Sequence, residues 1–177
     1  MRRARTISDG MQVAAGVWMH AQASKVSPAV RDHFLADHRR LEDLFERLLT
    51  ALEANDREDM ALVWTEFESG LIGHMQTEEL ELIPVLQRDS PRSARIIMEE
   101  HRHIRTRLAE LGMALDLHTL RLDTARAFVD ELRAHAKSED RLLYQWAEES
   151  LDDAEKESVI QLLAERVRAY RLRGGKG

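Results

Sequence analysis

Six residues of this chain have the types and spacing of a metal-binding set. They form two matching triplets: His38, His74 and Glu78, then His101, His135 and Glu139. In each, a lone His is followed at nearly the same distance by a His-x-x-x-Glu step. Imidazole with carboxylate suits iron, zinc or manganese better than calcium or magnesium. Residues four apart on a helix lie about 40° apart around its axis. Each His-x-x-x-Glu step therefore turns a nitrogen and an oxygen donor toward one interior point. Phe67 and Leu71 share the stripe of His74, as Phe128 and Leu132 share that of His135, so the donors lie on faces that should be buried. Four buried imidazoles and two buried carboxylates are costly unless something satisfies them. Two ions bridged by the two carboxylates, with two imidazoles each, would satisfy them and leave a coordination position open for an outside ligand. The surrounding Phe and Leu would keep that position dry and favour small uncharged ligands.

The elements that must carry these donors are helices. Apolar residues recur with helical spacing at Leu35, Leu41, Leu44, Phe45, Leu48 and Leu52, in a helix started by Ser27-Pro28 and ending near Ala54-Asn55. Asp56 is the cap of a second helix running to about Leu86, which Pro84 kinks or finishes. Ser90-Pro91 repeats the start signal for a third helix through Ile97, Ile104, Leu108, Leu111 and Leu115. A fourth begins near Asp123 and passes Phe128, Leu132, Leu142 and Trp146, and a last amphipathic segment spans about 152–171. The chain also repeats internally. Asp37-His38-Arg39-Arg40-Leu41 matches Glu100-His101-Arg102-His103-Ile104, and Phe67-x3-Leu71-x2-His74-x3-Glu78 matches Phe128-x3-Leu132-x2-His135-x3-Glu139. The expected fold is all-α: an up-down four-helix bundle built from two duplicated helix pairs, with an extra C-terminal helix and a short N-terminal arm. The expected divisions are 1–26 for the arm, 27–150 for the bundle and 151–177 for the extra helix and basic tail.

This pattern resembles the hemerythrin-like, or HHE cation-binding, family: a His on the first helix, His-x-x-x-Glu on the second, and the same again on helices three and four. The resemblance covers roughly residues 28–150. It implies a four-helix bundle holding two non-haem iron ions with carboxylate and oxo or hydroxo bridges, zinc or manganese being possible substitutes. It implies His38, His74, His101 and His135 as ligands and Glu78 and Glu139 as bridges. Oxygen-carrying hemerythrins of marine invertebrates have a further His four residues after the third-helix ligand. Arg105 stands there in this chain, so the two ions should be ligated alike. Bacterial iron-centre repair proteins of the family usually add a Cys-containing N-terminal domain, whereas this chain has no Cys. Ferritin-like oxidases use Glu-x-x-His, the opposite order at a different spacing.

Composition agrees with helices and narrows the function. The 177 residues suffice for one domain with a sizeable core, and 33% charged residues with only 8 Gly and 3 Pro favour long helices. The absence of Cys excludes disulfides, thiolate metal sites and Cys nucleophiles. A net charge of −6 argues against a general nucleic-acid binder. No apolar run nears the roughly 20 residues needed to span a bilayer. Arg2, Arg3 and Arg5 ahead of the apolar stretch 13–19 faintly resemble a signal peptide. That stretch is short, lacks Leu and is flanked by Asp9 and His20, so the expectation is an arm on a cytoplasmic protein.

Other residues look less chemical. His103 and His33 fall off the ligand line and read as outer-face residues, His118 lies near a helix end, and Tyr144 is off the ligand stripe by spacing. Glu131, one turn before His135, could hydrogen-bond a ligand, though an interhelical or solvated partner fits a Glu better. Gly70 and Gly73 inside a helix suggest room for a ligand or a close helix crossing. The expected function is a di-iron protein that binds or reacts with O₂, NO or peroxide in sensing or in oxidative and nitrosative defence. It reads as a metal- and gas-binding protein, monomeric or homodimeric, rather than a dedicated enzyme. The alternatives are a non-enzymatic iron-handling or iron-status module, an iron-centre repair-like protein, and a hydrolytic or structural zinc protein that keeps the ligand set.

Overall fold

The computed structural model describes residues 29–174, with side chains to residue 169. The expected Ser27-Pro28 helix start, His20 and the N-terminal arm lie outside the described residues. The described chain is helical, with no strand. Helix α1 spans Val30–Ala54 and buries Phe34, Leu41, Leu44, Phe45 and Leu48 on one stripe. It stops at Asn55, which takes the left-handed conformation (φ 53°) that Asn tolerates better than most residues. Asp56 caps α2 (Arg57–Thr77), its carboxylate accepting the Asp59 N–H at 3.1 Å.

The rod of α2 does not end at Pro84. A π-helical turn, Glu78–Leu82, leads directly into α3 (Ile83–Asp89), so the rod continues past the expected end near Leu86. In a regular helix Pro84 would lack its hydrogen bond and press on the carbonyl four residues back. Here the Ile83 N–H reaches back five residues to the Glu78 carbonyl, and the widened turn relieves that crowding. Helix α4 (Pro91–Asp116) follows, with Ser90 bonding the Ser93 hydroxyl at 2.9 Å rather than a backbone N–H. Helix α5 (Leu122–Glu139) meets a second π turn, Asp140–Tyr144, and continues as α6 (Gln145–Ser150). Helix α7 (Asp153–Gly174) starts with reciprocal bonds between Asp152 and Glu155, both 2.9 Å, a capping box.

The core is divided in two. One cluster joins Leu41, Phe45, Phe67, Leu71, Ile104, Leu108 and Phe128, and the other joins Phe34, Leu82, Ile83, Ile97, Leu143 and Tyr144 with Val159 and Leu163 of α7. The polar donors of the two triplets lie between these clusters along the rods. Helix α7 packs chiefly along α2 and also against α1, and its apolar residues close a flank of the second cluster. Lys156 fixes it there, its buried ammonium donating to the Glu148 carbonyl at 2.8 Å. Among the described residues no helix is long and apolar enough to cross a membrane.

Candidate metal centre

All six predicted donors converge. His74, Glu78, His101, His135 and Glu139 are buried, and the His38 side chain is 16% exposed. Glu139 spans the two halves, with one oxygen 3.0 Å from His38 Nε2 and the other 3.2 Å from His101 Nε2 and 2.6 Å from His135 Nε2. Glu78 does likewise, 3.5 Å from His74 Nε2 and 3.2 Å from His101 Nε2. Two groups of three donors, each tight enough for one ion, can be drawn: His38 and His74 with Glu139, and His101 and His135 with Glu139. The sequence triplets therefore interlock, because Glu139 belongs to both groups.

The outward nitrogens have partners of their own. His74 Nδ1 lies 2.9 Å from Asp37, His101 Nδ1 2.8 Å from Glu79, and His135 Nδ1 2.9 Å from Glu100. Ionised carboxylates only accept, so each of these three Nδ1 atoms carries a proton, and each Nε2 is the atom that turns a lone pair inward once a metal displaces its own proton. Asp37 and Glu100 are equivalent in the repeat, each standing before the lone His of its own half and orienting the second His of that half. That duplicated acidic residue was visible in the sequence. Glu79 was not singled out; Arg105 grips both its oxygens, at 2.6 and 3.0 Å. The residue in place of an extra His thus holds the group that holds His101. The repeat partner of Glu79 is Asp140, which Arg31 captures at 2.5 Å, and His38 Nδ1 has no hydrogen-bond partner among the described residues.

These surroundings favour a cation. Burial alone would lower the pKa of His74, but Glu78 and Asp37 raise it to about 10. His101, buried against Glu139, Glu78 and Glu79, is raised to about 11, and His135, beside Glu139 and Glu100, to about 9. Burial would raise Asp37, yet His74 and Arg40 hold it at about 2. Glu139 lies well below the usual carboxylate range despite its burial, because His135, His101 and His38 surround it.

The residues fit a metal on a second ground. Buried Glu78 Oε2 and His135 Nε2 lie at ion-pair distance from neighbours but are not aligned to hydrogen-bond with any of them. His38 Nε2 and His74 Nε2 face each other at 2.9 Å. Two nitrogens bound at right angles to one transition-metal ion, each about 2.0–2.1 Å from it, are about 3 Å apart. Inward lone pairs, orphaned acceptors and this spacing are what a cation would satisfy.

Some expectations change. Tyr144, placed off the stripe by a regular helical count, is fully buried with its hydroxyl in the centre of the site. It donates a short hydrogen bond to Glu78 and lies 3.3 Å from Glu139 and 3.4 Å from both His38 Nε2 and His74 Nε2. The π turn explains the error, since its extra residue per turn brings the fifth position after Glu139 back to the Glu139 face. Burial, with the charges of Glu139 and Glu78, pushes this phenol well above its ordinary pKa. Glu131 pairs with His103 at 3.1 Å and Arg107 at 3.3 Å, away from the ligands. His33 and His103 are exposed, as their spacing indicated. Gly70 marks a close helix crossing. A Cβ there would meet Arg40 Nη2 at 3.0 Å and Leu41 Cδ2 at 3.1 Å, and Arg40 is the residue that binds Asp37 at 2.7 Å.

A cavity of about 70 Å³ opens beside His38, His74 and His135, walled by Leu41, Phe45, Leu71, Val129 and Leu132. One water needs about 10–15 Å³ of such volume, so it admits a few water-sized molecules and nothing as large as a metabolite. Glu42 and Arg133, paired at 2.8 Å and both part exposed, flank its outer side.

A helical bundle that gathers imidazoles and carboxylates at its centre defines a cation-binding domain. The sequence model of the hemerythrin HHE cation-binding domain matches residues 29–147, and again 92–169. The chain belongs to the hemerythrin HHE cation-binding family. The second match begins as far after the first as His101 lies after His38, which is the internal repeat seen from outside. Neither the curated proteins nor the solved structures yielded a match.

Proposed function

We propose that the site holds two iron ions through His38, His74, Glu78, His101, His135 and Glu139, with both carboxylates bridging, and that it binds or reacts with O₂, NO or peroxide. Zinc or manganese would fit the same donors. The observation that carries the ligand class is the small apolar cavity against His38, His74 and His135. Its walls suit a small uncharged molecule and exclude a charged metabolite. Bound ferrous iron would supply electrons and an open coordination position to such a ligand. The chain's own residues do the rest. Asp37, Glu79 and Glu100 orient three imidazoles, Leu41, Phe45 and Leu132 keep bulk water out, and His38, the least buried ligand, stands at the entrance.

This reading makes the protein a sensor or defence protein acting on small oxidants. Neither nucleic acid nor membrane is a partner in it, and the protein acts as a monomer or homodimer in the cytoplasm. The test is to reduce the iron-loaded protein anaerobically, add O₂, NO or peroxide in turn, and record visible absorption. The proposal expects a new absorption with at least one of them. Three unchanged spectra would remove the reactive-ligand reading. A second reading, an iron-status module, draws on the position of the donors between the two core clusters, where metal loss would leave buried lone pairs unsatisfied. It predicts a large loss of melting temperature on chelation without any gas chemistry.

A further inference from the structure

Tyr144 has a hydroxyl surrounded by more acceptors than its one proton can serve. The carboxylates of Glu78 and Glu139 both face it, as do the Nε2 atoms of His38 and His74. One O–H satisfies one acceptor. Two carboxylates, two imidazole nitrogens and a phenol oxygen around one point form a cradle for a cation.

The separations agree. The His38 and His74 nitrogens are 2.9 Å apart, His38 Nε2 and Glu139 Oε2 3.0 Å, and His74 Nε2 and Glu78 Oε1 3.5 Å. The phenol oxygen lies 3.4 Å from each of these nitrogens, 3.3 Å from Glu139 Oε2 and in short contact with Glu78 Oε1. Apart from the short phenol–Glu78 hydrogen bond, these lie near the roughly 3 Å edge between neighbouring ligands of one transition-metal ion. The structure assigns Tyr144 as a fifth protein donor to the ion held by His38 and His74. This rests on the reading that the site holds metal.

The two ions then differ, although the six donors repeat. Five residues after Glu78, where the first half would place its own counterpart of Tyr144, stands Ile83. Ile83 belongs to the same apolar cluster as Tyr144 and offers no donor. The ion at His101 and His135 therefore has four protein donors against five. Tyr144 belongs to the second apolar cluster, whereas the cavity is walled by the first, so phenol and outside ligand meet the site from different sides. When Tyr144 binds, its O–H bond breaks and its metal–O bond forms, one proton going to solvent and no electron moving. The carboxylate charges that hold the phenol proton in the metal-free site are neutralised by the cation.

Ferric loading tests this through a colour independent of turnover. A phenolate on ferric iron gives a visible charge-transfer band with tyrosine modes in resonance Raman. The unaltered protein and Tyr170→Phe, which removes the other tyrosine, should both show it. Tyr144→Phe should lose it while keeping the same iron count, and should release one proton fewer on loading. The same band in Tyr144→Phe, or no phenolate signature in iron-loaded unaltered protein, overturns the assignment. If Tyr144→Phe does not fold, the ultraviolet difference spectrum of the unaltered protein on zinc loading decides: an ionised tyrosine supports the assignment and its absence overturns it. Failure of the unaltered protein to take up any metal would overturn the metal reading itself, a result the metal count distinguishes.

Discussion

Each inward imidazole nitrogen is only as well placed as the carboxylate behind its ring. Asp37, Glu79 and Glu100 set the tautomer and the ring angle of His74, His101 and His135. Asp37 is itself held by Arg40, for which Gly70 leaves space. Such outer partners typically contribute about 10–100-fold in metal affinity. Asp37→Asn and Glu100→Gln keep the shape and remove the charge. Each should weaken metal binding by about that factor in competition with a chelator while leaving helical circular dichroism unchanged. Wild-type affinity in both would mean that these carboxylates are packing partners and no more. At this scale much was legible. The convergence of the six candidate donors could be read from the internal repeat and from spacing, because His and Glu four apart share a helix face whatever surrounds them. Asp37 and Glu100 were visible as a repeated acidic residue, although which ring each one orients depends on how the helices cross. Glu79 carried no signal, since its role exists only where α4 lies beside the first π turn.

The elements show where counting residues breaks down. Helix boundaries followed caps and breakers that sequence displays: Asn55, Asp56 and the Ser90-Pro91 step. The two π turns followed none of these signals, and they shift every residue beyond them. Pro84 was read as a kink or an end because a proline in a regular helix loses a bond and clashes. Tyr144 was set aside because a 3.6-residue period was continued across a turn that holds one residue more. Helix α7 was legible as amphipathic, but its place along α2 and α1, closing a flank of the second cluster, depends on tertiary packing. Leu163, 4% exposed in that flank, tests whether α7 and the bundle unfold together. Leu163→Ala should cost about 2–5 kcal/mol. At about 2–4 °C per kcal/mol for a chain of this size, thermal melting will register it. An unchanged melting temperature would show that α7 opens on its own.

In the whole molecule, two apolar clusters hold a polar layer whose charge calls for a cation, either protons or metal. Without metal, His74, His101 and His135 carry pKa values of about 10, 11 and 9 in the folded chain, above the ordinary 6.5. Their contribution to stability is then complete below about pH 6.5 and is lost as pH rises through about 9–11. The metal-free protein should thus melt at falling temperature across the alkaline range. The loaded protein should not, because metal takes the place of those protons, and acid should release the metal by competition. Melting curves that fall in parallel for both forms would contradict this coupling.

A metal count decides whether a pair of ions is shared by two bridging carboxylates. After iron loading and removal of excess metal, the unaltered chain should retain two ions. Glu78→Ala and Glu139→Ala should each retain one or none, because each carboxylate touches histidines of both halves. Two firmly held ions in either variant, or an unaltered chain that never exceeds one, would contradict the account.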